Sequence, residues 1–316
     1  MTTEKQSTDT VLMISPDTFQ FNIQTADTNA FQQQLKNSSA ASEMALKEFH
    51  AMVEELRKHN IRVLILPSRA GIVTPDAVFP NNWFSTHLSP DGGEMVILYP
   101  MLADSRRAER QWDDLKDLLD AQQIIVNEVK DLTGYEAENK YLEGTGSLVL
   151  DRVNRIAFAV LSPRTSLDVL HDFCKQMRYT PAMFSSVDKH GKPVYHTNVV
   201  MSIGSQFAVI AADTITDMQE REQILSILKK CNKNIIAITS DQMEQMAGNI
   251  LEVLSLDGKV KIIMSQTAHD AFTPEQRQVL SSYGDLLVVH IDTIEKLGGG
   301  SARCMLAEIF HGRSAV

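Results

Sequence analysis

Short aliphatic runs along the chain alternate with longer stretches whose apolar residues recur every three or four positions. VLMIS (11–15) and IRVLIL (61–66) read as strands. Between them, 43–59 places Ala45, Phe49, Met52, Val53 and Leu56 on one helical face. Similar spacing predicts helices at 104–121, 166–178, 217–230 and 274–283. The alternation makes the fold class α/β. No Pro- or Gly-rich linker divides the chain, so the expectation is a disordered N-terminal tail over 1–10 and one domain over 11–316.

A repeat refines this picture. Ser147-Leu-Val-Leu, Asn198-Val-Val-Met and Asn249-Ile-Leu-Glu follow one another at steps of 51 residues, and a further step reaches Gly300. Each unit runs strand, tight turn (DRVNR, GSQ, LDGK), strand (IAFAV, FAVIA, VKIIM), helix, strand. NNWFSTH (81–87), MVILY (95–99), the helix from 104 and IIVNEV (124–129) form another such ββαβ unit. A fifth closes if the terminal strand at 304–310 joins the strands and helix of 11–66. Units that bury their faces on neighbours, with shared termini, predict a five-bladed ββαβ ring with pseudo-five-fold symmetry. The residues that open each unit then converge on its axis: Asn81 and Asn82, Glu143 to Ser147, His196 to Asn198, Gly248 and Asn249, and Cys304.

Composition removes several classes of function. Forty acidic against thirty basic residues, a net charge of −10, argue against nucleic-acid binding. No apolar run approaches the ~20 residues that span a bilayer, and the polar start MTTEKQSTDT lacks the apolar stretch of a signal peptide. Cysteines at 174, 231 and 304 make neither a disulfide framework nor a metal-ligand pattern, so a reducing cytoplasm is the expected location and no metal or cofactor is expected.

Taken singly, Cys304 reads as a small buried apolar residue, His196 as a satisfied core histidine and Glu143 as a turn residue before Gly144. Placed at equivalent positions of three repeat units, they are the residue types of a nucleophilic site. A thiol reacts as thiolate, a histidine moves its proton, and a carboxylate orients the imidazole.

These residues resemble the motifs of the pentein superfamily of guanidine-modifying enzymes. That group includes arginine deiminase, dimethylarginine dimethylaminohydrolase and the amidinotransferases. The similarity runs from PDAVFPNNW (75–83) to SARCM (301–305), and is strongest to the dimethylarginine dimethylaminohydrolase type and to bacterial citrulline-utilisation hydrolases. It implies a five-bladed pentein propeller, with 11–316 as a single catalytic domain and the site on the axis. LEGTGS (142–147) is similar to the family's L-[DE]-G-G segment and implies Glu143 as the histidine's partner. YHTN (195–198) implies His196 as acid and base, and RCM (303–305) implies Cys304 as nucleophile. LSPRTS (161–166) resembles S-x-R-T, whose Arg164 would grip a substrate carboxylate with its planar fork. DSRRAE (104–109) resembles a second carboxylate-binding element through Arg106, although spacing alone reads Arg106 as a helix-surface charge. Asp76 stands where the family holds an α-ammonium.

One departure bears on the substrate. Deiminases acting on a cationic guanidinium carry a carboxylate at the position of Asn82, and arginine deiminase carries one at Asn198 as well. Here both are amides, as at similar positions in relatives resembling succinylarginine dihydrolase. An amide offers an acceptor and a donor that match a neutral ureido group, whereas a buried carboxylate there would be uncompensated. The expected activity is therefore cysteine-dependent hydrolysis of a C–N bond in a ureido or guanidino amino acid, citrulline-like by preference. Dimethylarginine or arginine hydrolysis and amidino transfer are the alternatives within enzymes. A non-catalytic pentein, like the ribosome anti-association factor, is the alternative from another class, and the intact Cys/His/Glu set counts against it. The expected partner is a small amino-acid substrate, with no nucleic acid and no membrane; a homodimer is compatible with the resemblance. The loop SSVDKHGKPVYH (185–196) is the candidate lid.

Overall fold

The aliphatic runs form the strands of five small sheets in the computed structural model, which describes residues 5–34, 38–89 and 92–312. In chain order the strands are β1 (Thr10–Ile14), β2 (Arg62–Leu66), β3 (Phe84–Leu88), β4 (Glu94–Leu98) and β5 (Val126–Asp131). β6 (Val149–Asp151), β7 (Ile156–Val160), β8 (Thr180–Phe184), β9 (Met201–Ile203) and β10 (Phe207–Ile210) follow. The last are β11 (Asn234–Ala237), β12 (Leu251–Leu254), β13 (Val260–Ser265), β14 (Asp285–Val289) and β15 (Ala307–Glu308). They group as β3-β4-β5, β6-β7-β8, β9-β10-β11, β12-β13-β14 and β15-β1-β2. In every sheet the middle strand pairs antiparallel with one neighbour and parallel with the other. An antiparallel pair needs only a tight turn, while a parallel pair needs a long crossover, which is why each blade spends its helix between its second and third strands.

The ends of the chain make the fifth blade. Leu12 stands opposite Ala307 in the antiparallel pairing and opposite Leu64 in the parallel one. The crossover helix Ser38–Lys58 lays Ala45, Phe49, Met52, Val53 and Leu56 on the buried face, packed with Val11, Met13 and Val63. Each large side chain so buried stabilises the blade by about 1.5–3 kcal/mol. Neighbouring blades are tied near the axis by side-chain to backbone hydrogen bonds. Thr86 Oγ1 donates to Glu308 O (2.9 Å) and Asn249 Nδ2 donates to Asn198 O (2.9 Å).

The structure departs from the sequence reading in three places. The stretch expected as a disordered tail packs from Gln6 onward; residues 1–4 lie outside the described residues. Gln6 Nε2 donates to Leu150 O (2.9 Å), Ser7 Oγ to Glu252 (2.6 Å) and Thr8 Oγ1 to Ile309 O (2.7 Å), so polar residues here serve as ties between blades. The single helix expected over 104–121 is two, Asp104–Arg107 and Trp112–Ala121, and the break turns Arg106 and Glu109 inward. The axial motifs do not open strands. They form one-turn segments just before them: Pro80–Asn82, Gly144–Ser147 and Thr197–Val200. No described helix is long and apolar enough to cross a membrane.

Candidate active site

At the axis a cavity is lined by Asn29, Asp76, Phe79, Asn82, Arg106, Arg164, Tyr195, His196, Gly298, Gly300 and Cys304, of which Asn82 lies in a one-turn segment and His196 caps another. Local chain geometry explains their meeting. The turn at Ser162–Thr165 pairs back on Leu142, and Glu143 N donates to Arg164 O, so Arg164 is delivered next to Glu143. Gly299 adopts φ +65° after the helix Asp292–Gly298, a left-handed conformation that ends the helix. The chain then makes the turn at Ser301–Cys304 that sets Cys304 against the axis. Gly146 lies so close to its neighbours that a Cβ would stand 2.4 Å from Asn82 Nδ2 and 2.8 Å from His196 Nδ1.

Glu143 and His196 form the innermost pair. Glu143 Oε2 lies 2.8 Å from His196 Nε2, while its Oε1 accepts the backbone N–H of Leu102. Burial works to raise the Glu143 pKa, but Arg164, with Nη1 at 3.5 Å, and the His196 hydrogen bond overcome it and bring it down to about 2. Burial also disfavours the imidazolium and outweighs the carboxylate, lowering His196 to about 4. At neutral pH an ionised Glu143 therefore faces a neutral imidazole. A carboxylate only accepts, so Nε2 carries the ring proton and Nδ1 is left as the basic nitrogen.

Cys304 is buried, and its Sγ lies 3.3 Å from Asn198 Nδ2 and 3.2 Å from Asn249 Nδ2. Asn198 Oδ1 is buried without a hydrogen-bond partner. Asn82 Oδ1 accepts from Arg106 Nη1 (2.9 Å), and a guanidinium only donates, so the orientation of this amide is fixed, with its NH₂ beside Gly146 and one N–H donated to Asn81 Oδ1 (3.1 Å).

The remaining charges divide between holding each other and facing the cavity. Arg106 is buried, not a surface charge: Nε donates to Glu109 (2.7 Å), Nη1 to Asn82 and Nη2 to Phe79 O (3.1 Å). Burial pushes Glu109 up to about 8 against the pull of Arg106, and Glu109 Oε2 has no partner. Arg164 donates to Thr28 Oγ1 (2.7 Å) and Thr25 O, and stacks over the Tyr195 ring at 4.8 Å. Asp76 accepts from Asn22 (2.7 Å) and Thr25 at one oxygen, while Oδ1 is buried and unpartnered; burial raises its pKa even with Arg106 nearby.

All eight residues singled out in the sequence are thus gathered, six of them lining one cavity with Glu143 behind His196 and Asn198 against Cys304. The candidate lid is not placed over this cavity. Tyr195 and His196 belong to its lining, but Asp188, Lys189 and His190 line a separate groove, and the segment that touches the site residues is 22–29. Asn22, Thr25, Thr28 and Asn29 lie in a polar run that carries no periodicity and so no signal in the sequence. Glu109 and Tyr195 had likewise escaped notice. Among the described residues, no group of three His, Cys, Asp or Glu side chains is placed to hold a metal ion.

Comparison with known proteins agrees with this architecture. No curated protein matches the chain in sequence. Among solved structures, ArgZ, an arginine dihydrolase from the ornithine–ammonia cycle in cyanobacteria, superposes with a TM-score of 0.72 at 17% identity over 96% of this chain. The chain spans 40% of the length of ArgZ. It spans 98% of the separate N-terminal domain, solved as a cysteine-to-serine variant bound to substrate, with the same score and identity. Dimethylarginine dimethylaminohydrolase from Pseudomonas aeruginosa, complexed with citrulline, gives 0.60 at 15% identity, covering 95% of this chain and 98% of that one. At such identities these structures speak for the fold. A family model described as N,N dimethylarginine dimethylhydrolase, eukaryotic, matches residues 15–311. The chain belongs to that family.

Proposed function

We propose that residues 11–316 act as one catalytic domain that hydrolyses a C–N bond of a ureido or guanidino amino acid, citrulline-like by preference, through a covalent adduct on Cys304. The observation that carries this reading is the convergence of Cys304, a neutral His196 and an ionised Glu143 beside a cavity holding an unpartnered carboxylate oxygen and two guanidinium groups. His196 Nδ1 takes the thiol proton, and the thiolate forms a C–S bond to the head-group carbon. The C–N bond then breaks as the imidazolium returns that proton to the leaving nitrogen. His196 next activates water, which cleaves the C–S bond and restores the thiol. Glu143 stabilises the imidazolium in both halves. Asp76 Oδ1 receives the substrate α-ammonium, and Arg164 with Arg106 receives the carboxylate.

The preference for a neutral head group rests on the two amides. With Arg106 holding Asn82 Oδ1, Asn82 offers N–H to a ureido C=O, and the vacant Asn198 Oδ1 offers an acceptor to a ureido NH₂. The second reading, hydrolysis of dimethylarginine or arginine, draws on the description of the matching family model. The two are separated by kcat/KM for citrulline and arginine with wild type and Asn82→Asp. A wild type preferring citrulline, with the ratio moved towards arginine by about a hundredfold in the variant, supports the ureido reading. A wild type preferring arginine favours the second reading.

A further inference from the structure

Cys304 Sγ meets two side-chain amides, from successive blades at positions one repeat apart. Asn249 was not among the residues expected to carry chemistry. Its Nδ2 donates to the backbone carbonyl of Asn198 at 2.9 Å, and because a carbonyl only accepts, the orientation of the amide is settled. One N–H is used there, and the other falls on sulfur at 3.2 Å, closer than Asn249 Oδ1, which accepts from the thiol at 3.6 Å and loses that contact when the thiol ionises. Asn198 Nδ2 approaches the same sulfur at 3.3 Å. Both asparagines are fully buried, so water does not compete for these donors.

We propose that Asn249, together with Asn198, forms an amide cradle that stabilises negative charge on Cys304 Sγ, which makes Asn249 a catalytic residue. The inference rests on the reading of Cys304 as nucleophile. Hydrogen bonds to an ionised acceptor are roughly twice as strong as neutral ones, so two N–H donors favour thiolate over thiol without adding a charge beside the head group. The cradle acts beside the other groups that face the sulfur. His196, Tyr195, Asp76, Arg106 and Arg164 share its cavity, with Glu143 behind His196, and Arg303 precedes it in the chain with its guanidinium directed to Thr145 and Glu308. Those groups are unchanged by substitution at Asn249.

The test is the pH profile of alkylation by iodoacetamide in the full-length protein, in which the thiolate displaces iodide. Peptide mass spectrometry reads carbamidomethylation at Cys304 separately from Cys174 and Cys231. Asn249→Ala is expected to move the profile to higher pH and to slow alkylation at pH 7 by roughly tenfold. Asn249→Asp keeps the shape of the side chain and sets a carboxylate against the sulfur, so it is expected to slow alkylation further. Thermal unfolding reports whether each variant is folded, and Asn249→Asp decides if the alanine variant is not. A profile unchanged by substitution, or lowered in parallel at every pH, would overturn the proposal and leave Asn249 as a blade tie. Because alkylation requires no turnover, a shifted profile in a protein that hydrolyses none of the substrates would sink the proposed reaction while the cradle stood.

Discussion

At the scale of single residues, the site depends on a few buried groups whose protonation is set by their neighbours. Cys304→Ser is nearly isosteric and should abolish turnover, lowering kcat by at least about a thousandfold with little change in melting temperature. Cys174→Ser should leave kinetics unchanged, because burial pushes that thiol up to about 12 and it lies in a helix between Val169 and Met177, away from the axis. The Glu143–His196 pair also predicts how stability varies with pH. His196 titrates near 4 in the folded chain and near 6.5 when unfolded, so between these values the unfolded chain binds the extra proton. Glu143 behaves likewise between about 2 and 4.5. In both windows stability falls as pH falls. A shift of this size in His196 corresponds to about 3 kcal/mol, which should be lost as pH drops from 6.5 to 4. Denaturant midpoints of wild type and His196→Gln across that range check the sign: the wild-type slope should be the steeper. Equal slopes would show that His196 is not held neutral by the fold.

At the scale of elements, the one-turn segments and the residues that cap them gather the candidate site, and the blades carry the stability. Gly146→Ala should illustrate the division. Its Cβ would collide with Asn82 Nδ2 and the His196 ring, displacing both, so activity should drop far more than the roughly 1–3 kcal/mol of stability that overpacking costs. Paired kinetics and urea unfolding measure the two losses. Phe49→Ala, on the crossover helix, should do the reverse, costing about 3–5 kcal/mol while leaving KM nearly unchanged. The blades were legible in the sequence because buried strands and amphipathic helices leave a periodic signal, as Ala45 to Leu56 do. Cys304, His196 and Glu143 were legible because they recur on the repeat. The 22–29 segment and Glu109 left no such trace. Thr28 reaches Arg164 by long-range approach, which leaves no spacing to read, and the Arg106–Glu109 pair, three residues apart, looks in sequence like an ion pair on a helix surface. The packed residues 6–10 were misread for a related reason. Polar residues that tie distant blades look in sequence like residues in water.

At the scale of the whole molecule, Cys304, the proposed nucleophile, is held by closure of the ring. β15 follows directly after Cys304, pairs with β1 and is fastened by Thr8 Oγ1 on Ile309 O and Ile309 N on Thr10 O. A chain shortened to begin at Thr10 should therefore melt lower and lose activity together, since the strand that anchors Cys304 is loosened. Unchanged melting and kinetics would show that closure is not needed at the site. The central claim, that Cys304 cleaves a C–N bond of a ureido or guanidino amino acid, is tested most directly by product analysis. Purified wild type and Cys304→Ser are incubated separately with citrulline, arginine and dimethylarginine, and the products are quantified by mass spectrometry. Wild type is expected to hydrolyse a C–N bond with the highest kcat/KM on citrulline, and the variant none. No cleavage of any of the three, or a wild-type rate from Cys304→Ser, would contradict the claim.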